Sequence, residues 1–356
     1  MSPLTLQENQ FTHSGDKTTF YWSAGPSGGP LVIFIHGWPA NGETWKPQLL
    51  ALAALGFRVI APDNRGYGRS SVPQGPSAYA LEHHVSDMLA LLAHLDRDKA
   101  VWIGHDWGAG LVWAFAAQRP DKCVGVCCIS VPYYTIELGL DALVANSNRD
   151  VYPEDQYPVA QWDYQVFHNE QPEASAAQLR ANVPNTIKLL YRAGSPESYG
   201  KPTMLASLRK LGGWFGGAPS APDLPFESTF FKDDKPAFDR MVAEFERNGF
   251  EGPNDYYRNH EANRAYTLKN PNGARLRYPV LFVEGRWDSV CDTAISRLSE
   301  PMRELCDDLT EVSIESGHWV QLEKPEETNA AIVRWIATKL PTHFPGYWKT
   351  PFVSRG

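Results

Sequence analysis

Two glycines bracket an aspartate in Gly104-His105-Asp106-Trp107-Gly108. The apolar run Val101-Trp102-Ile103 leads in, and Leu111–Ala117, mostly good helix formers, leads out. Glycines suit a strand-to-helix turn so tight that a Cβ would clash. Such a turn lifts one reactive side chain clear of a sheet. Ser is the usual occupant of that position, and here it is Asp106. A carboxyl of ordinary pKa, about 4, is ionised at neutral pH and needs no base before it attacks.

The electrophile follows from the nucleophile. Attack on an ester carbonyl would give an anhydride, which gains little. Attack on a strained or activated saturated carbon gives a stable alkyl ester. The fitting electrophiles are an epoxide ring carbon or a carbon bearing halide. The ester must then be hydrolysed, which calls for a base and an orienting acid. Asp288 in Gly285-Arg286-Trp287-Asp288 and His318 in Gly317-His318-Trp319 each follow an apolar strand-like run. The order Asp106, Asp288, His318 is nucleophile, acid, histidine, as after a strand-turn-helix nucleophile. Asp292, four residues on from Asp288, is read as the start of a helix over 292–303, where an acid is favoured. The tetrahedral oxyanion of the hydrolysis step needs donors. The backbone N–H groups of Trp107 and of Trp38, in His36-Gly37-Trp38-Pro39, are the expected pair. An epoxide oxygen also needs a weak acid opposite Asp106, and a phenol suits. Tyr164 in Trp162-Asp163-Tyr164-Gln165 and Tyr257 in Asp255-Tyr256-Tyr257-Arg258 are the candidates, with Tyr256 as competitor. His36 and His105 are read as structural hydrogen-bonders. His83, His84 and Asp87 are read as a solvated helix face rather than a metal site.

The elements that must hold these groups are legible as patterns. Weak alternation at 5–11 and 18–24 suits an edge hairpin. The continuous apolar run Leu31–Ile35 suits a strand buried on both faces, Arg58–Asp63 reads as a second buried strand, and strand patterns follow at Cys123–Val131, Pro279–Gly285 and Leu309–Ile314. Leu81, Val85, Met88, Leu92 and Leu95 recur at helical spacing, and a last helix covers 325–340. Strands alternating with helices imply parallel pairing with right-handed crossovers. This predicts an α/β fold with an eight-stranded, mostly parallel sheet and helices on both faces. Between 133 and 275 the pattern changes to helical segments, including 174–193 and 235–248, broken by joins such as Leu211–Pro219. That stretch is read as a helical cap inserted into a core of residues 1–132 and 276–356.

A net charge of -8 without a basic block excludes nucleic acid and anionic membrane as natural partners. Cys123, Cys127 and Cys128 fall in one apolar run, so they read as buried thiols of a reducing compartment. No stretch is apolar enough to span a membrane, and the first residues lack signal-peptide character, so a cytoplasmic protein is expected. Twelve tryptophans hint at an aromatic cavity. The aromatic tail at 341–356 is expected to pack on its own chain, with a homodimer interface as the alternative.

Taken together, these motifs resemble the soluble epoxide hydrolases, specifically the hydrolase domain of the mammalian and plant enzymes. The resemblance runs over roughly residues 10–340 and carries the α/β-hydrolase fold with it. It also rests on Asp63-Asn64-Arg65-Gly66-Tyr67-Gly68-Arg69-Ser70, on Gly252-Pro253 ahead of Tyr257-Arg258-Asn259, and on Lys324-Pro325-Glu326. It implies that Asp106, Asp288 and His318 form a triad and that Tyr164 and Tyr257 hydrogen-bond the epoxide oxygen. It further implies a cis peptide at Trp38-Pro39, a small-molecule epoxide as substrate, and neither cofactor nor metal. Trp38, Trp107, Tyr256 and Trp319 are expected to contact substrate. Trp38 stands where Phe is common and Tyr256 where Trp is usual, so the substrate's shape is open. With only a short segment ahead of Asp106, no counterpart of the mammalian enzyme's phosphatase domain is expected there. Haloalkane dehalogenation is the alternative chemistry for the same nucleophile. A ligand sensor without turnover is the alternative class, and the paired His318 and Asp288 argue against it.

Overall fold

A computed structural model describes residues 5–346. Eight strands form one sheet: β1 Gln7–His13, β2 Lys17–Ala24, β3 Leu31–Ile35, β4 Arg58–Pro62, β5 Ala100–His105, β6 Cys123–Ile129, β7 Leu276–Gly285 and β8 Cys306–Ile314. Their order is β1-β2-β4-β3-β5-β6-β7-β8. β1 pairs antiparallel with β2, and β2 with β4; all other pairs are parallel.

Both faces of the central strands are covered, which explains their unbroken apolar runs. Ile33 and Ile35 of β3 and Trp102 of β5 face a cluster that includes Val85 and Leu92 of helix α2 (Leu81–His94) and Leu111 and Phe115 of helix α3 (Trp107–Gln118). Here α1 denotes Lys46–Ala54. Val32 and Phe34 of β3 and Val101 and Ile103 of β5 face the opposite cluster, with Leu49 and Leu52 of α1 and Ile332 and Ile336 of the helix Pro325–Lys339. Residue parity along each strand thus decides which layer a side chain joins.

Between β6 and β7 the described residues form helices and turns, apart from one isolated bridge, Arg192 to Thr229. Several sequence expectations need correction. The segment 174–193 is two helices, Pro172–Arg180 and Val183–Leu190. Asn182 caps the second, accepting the Asn185 N–H at 3.0 Å, and Pro184 fits its first turn. No helix starts at Asp292; the helix there is only Glu300–Leu305. Asp292 is buried instead, and its Oδ1 accepts from Gln161 Nε2 at 2.7 Å. His84 and Asp87 do not form a solvated face either. His84 is buried, and Asp87 takes a two-pronged ion pair from Arg65, both bonds at 2.7 Å. β7 and β8 begin three residues earlier than expected, at Leu276 and Cys306, and α1 had no counterpart in the sequence reading.

All five cysteines are free and buried. Burial pushes the Cys123 thiol up to about 12. Among the described residues no helix is long and apolar enough to cross a membrane. The tail begins on its own chain, with the Phe344 ring edge-on to Phe57 at 5.4 Å; Tyr347, Trp348 and Phe352 lie outside the described residues.

Candidate active site

Asp106 sits between the end of β5 and the first residue of α3, with φ 54° and ψ -127°. A non-glycine residue is held there only when its surroundings over-determine it. They do so here through close backbone approaches. A Cβ on Gly104 would lie 2.3 Å from the Gly108 carbonyl oxygen, and one on Gly108 would lie 2.1 Å from that of Ile35. Two residues without side chains therefore let β3, β5 and α3 converge under one carboxylate.

That carboxylate is nearly enclosed. Its Oδ1 accepts the Trp38 N–H at 2.6 Å, and its Oδ2 lies 3.5 Å from His318 Nε2. The Trp38-Pro39 peptide is cis. On the far side of the imidazole, His318 Nδ1 meets Asp288 Oδ2 at 2.9 Å. Asp288 is held in turn: its Oδ1 accepts the N–H groups of Val290 at 2.8 Å and Cys291 at 3.0 Å. The His318 carbonyl accepts from His105 Nε2 at 2.8 Å and from the Ser130 hydroxyl at 2.9 Å. His105 is thus a structural bonder. So is His36, whose Nε2 accepts the Asn64 N–H at 2.9 Å. Burial brings both rings down to about 4, so they stay neutral.

Charge separates within the trio. Burial alone would raise the Asp106 carboxyl, but the His318 bond and charge outweigh it and hold it below its ordinary value. Burial alone would lower His318; the Asp288 charge, the bonds to Asp106 and Asp288 and the Asp106 charge outweigh it and lift the imidazole to about 10. An imidazolium between two carboxylates is the consequence. A raised value means the folded state holds the proton more tightly than the unfolded chain. The stabilisation is full below about 6.5 and disappears as pH rises through about 10. Melting temperatures from pH 6 to 10 should therefore fall more steeply for the native chain than for Asp106→Asn, which lacks one of the two charges. Equal slopes would contradict this charge arrangement.

Asp106 and His318 open onto a cavity of about 350 Å³ that Tyr164 and Tyr257 also line. The two phenol rings meet edge to face at 5.5 Å. Gln165 Nε2 donates to the Tyr164 hydroxyl oxygen at 3.2 Å, leaving its proton for another acceptor. Burial first, and the nearby Asp106 carboxylate among the charges, push both phenols well above their ordinary range. Both remain protonated donors. The walls are Trp38, Trp214, Trp287, Trp319, Leu190 and Val290, with the Trp38 and Trp214 rings stacked at 5.2 Å. Trp319 is fixed by its indole N–H, which donates to the Leu190 carbonyl at 2.8 Å.

Two expected contacts do not reach the cavity wall. Tyr256 turns away, its hydroxyl donating to the Arg65 carbonyl at 3.0 Å and its ring packing on Tyr67 and Tyr79. The Trp107 side chain is buried behind Tyr257, ring centroids 5.4 Å apart, although its backbone N–H helps lower Asp106. Trp214, Trp287, Leu190 and Val290 were not singled out as cavity residues in the sequence. Trp214 hides in the glycine-rich join 211–219, where nothing periodic marks a side chain as facing inward. No group of three or more His, Cys, Asp or Glu side chains is arranged to hold a metal ion among the described residues.

A family model described as alpha/beta hydrolase fold matches residues 30–325. The bifunctional epoxide hydrolase 2 of Sus scrofa is 34% identical over 316 residues, covering 87% of this chain but 52% of its own length. This chain thus spans about half of that relative. An epoxide hydrolase of Caballeronia sordidicola is 33% identical over 313 residues, covering 87% of this chain and 88% of its own. The crystal structure of epoxide hydrolase A from Mycobacterium thermoresistibile superimposes with a TM-score of 0.71 at 28% identity, covering 94% of this chain and 99% of that one. On sheet order, turn geometry and these likenesses together, the chain belongs to the epoxide hydrolases of the α/β-hydrolase family.

Proposed function

We propose that this chain hydrolyses a small-molecule epoxide to a vicinal diol through an alkyl ester on Asp106. One observation carries the reading: an ionised carboxylate and two protonated phenols line the same aromatic cavity. Oδ2 of Asp106 attacks a ring carbon, forming one C–O bond as the ring C–O bond breaks. Tyr164 and Tyr257 meet the departing oxygen, and one phenol gives it a proton. Forming the ester removes the Asp106 charge, so His318 loses one of its two supports. It then yields its proton, which restores the phenol, and becomes a base.

In the second step neutral His318 takes a proton from water as the oxygen attacks the Asp106 carboxyl carbon. Oδ1 becomes the oxyanion, received by the N–H groups of Trp38 and Trp107. Collapse expels the diol oxygen, which takes the proton from His318. The new carboxylic acid returns its own proton to His318, and the resting charges are restored. Residues 133–275 act as the cap that supplies both phenols and shuts out water.

Removing one phenol hydroxyl should raise the barrier to ester formation by about 1.5–3 kcal/mol, the scale of a hydrogen bond to a charged group. Single-turnover rates of Tyr164→Phe and Tyr257→Phe with styrene oxide measure this. Unchanged rates in both would remove the donor assignment. Dehalogenation is less well supported, because the Trp107 indole, which could offer its N–H to a halide, is buried behind Tyr257 and does not line the cavity. Tight epoxide binding without any diol would instead favour a sensor.

A further inference from the structure

Against the ring of Tyr257 lies a fully buried polar pair, His168 and Ser175. His168 stacks on the Tyr257 ring with centroids 4.7 Å apart and planes 10° apart. Its Nδ1 is 2.8 Å from the Ser175 hydroxyl oxygen. The same oxygen accepts the Trp214 indole N–H at 3.3 Å. With one lone pair so used, the Ser175 hydroxyl has its proton to donate, and His168 Nδ1 is the acceptor within reach. The imidazole is then neutral with its proton on Nε2. Nε2 is buried and has no hydrogen-bond partner among the described residues. Burial, which drives this ring down to about 3, keeps it uncharged.

An imidazole in an aromatic pocket with one unsatisfied nitrogen is costlier than a phenyl ring of similar size. Its tether to Ser175 is the gain. A phenyl ring could slide and rotate against Tyr257, whereas this ring is pinned at Nδ1. The helices Asp163–Glu170 and Pro172–Arg180, which carry His168 and Ser175, are thereby tied to one cavity wall through Trp214 and to one donor through Tyr257.

We infer that His168 and Ser175 form a positioning pair that fixes the ring plane of Tyr257, and so the aim of its hydroxyl at the epoxide oxygen. His168 touches neither substrate nor Asp106; it acts through Tyr257. The inference rests on the epoxide reading above.

The test is a double-mutant cycle on the single-turnover rate of ester formation with styrene oxide. His168→Ala should slow that step at least about tenfold in the native background, yet less than about twofold once Tyr257→Phe has removed the hydroxyl. KM should move little, since no substrate contact is lost. His168→Phe, which restores a flat ring without the tether, should recover part of the rate. Equal losses in both backgrounds would mark a merely structural residue and overturn the inference, as would an undiminished rate in His168→Ala. Should His168→Ala fail to fold, His168→Phe in the same cycle decides by the same comparison. Native turnover is the control. Its absence would overturn the epoxide reading and this inference with it, whereas turnover with His168 uncoupled from Tyr257 would overturn the inference alone.

Discussion

Asp106→Ala should lose at least about 10⁴-fold in kcat/KM for styrene oxide while remaining folded, the scale on which removing a member of a catalytic unit acts. The size of the loss follows from what remains. Asp106 is the one carboxylate lining the cavity among the described residues. Asp288 cannot replace it, because its side chain is fully buried and committed to His318 and two backbone N–H groups. Without a nucleophile, water would have to attack the ring directly, with His318 as its base. The phenols and the aromatic walls would persist, so binding should outlast catalysis. Turnover at the native rate would refute the assignment. A folded variant that binds and does not turn over is the expected result.

His318→Gln should separate the two chemical steps. Ester formation asks only that Asp106 be ionised and the phenols be protonated. Ester hydrolysis asks for a base, whose removal is expected to cost about 10²–10⁴-fold. The variant should therefore accumulate a species heavier by one substrate, visible by mass spectrometry of the intact protein and localised to the peptide holding Asp106. The first step should slow as well. His318 is the partner that opposes the burial penalty on Asp106, so in its absence the carboxyl should rise and less of it be ionised at neutral pH. Absence of any adduct, with diol still formed at the native rate, would remove His318 from the mechanism.

The parts of this molecule legible in the sequence are those where one local rule governs. Leu31–Ile35 is a strand because it is apolar throughout and rich in β-branched and aromatic residues, and it is buried on both faces. The turn at Asp106 was readable because two glycines and a strand-to-helix switch fall within a few residues. Asp288 and His318 were readable from their places just past strands, since the ends of parallel strands gather on one side of a sheet. What escaped was set by distant packing. The helix expected from Asp292 gave way to a buried bond with Gln161, 131 residues away in sequence. His84 lies among the residues expected to be solvated, yet the ring of Tyr256 covers it at 4.7 Å. Tyr256 and Tyr257 are neighbours with equal claims in the sequence; a short helical turn sends the first to the Arg65 carbonyl and the second to the cavity. The cavity walls were the least legible, because Trp214 and Trp287 come from turns whose facing depends on the whole surrounding structure.

A single turnover in ¹⁸O-labelled water, with enzyme in excess over epoxide, tests the central claim most directly. If the carbon is first bonded to Asp106, the new oxygen of the first diol comes from the carboxylate, so that diol is unlabelled and ¹⁸O appears in the peptide holding Asp106. A first diol carrying ¹⁸O, with an unlabelled Asp106, would mean that water attacks the ring itself and would contradict the account.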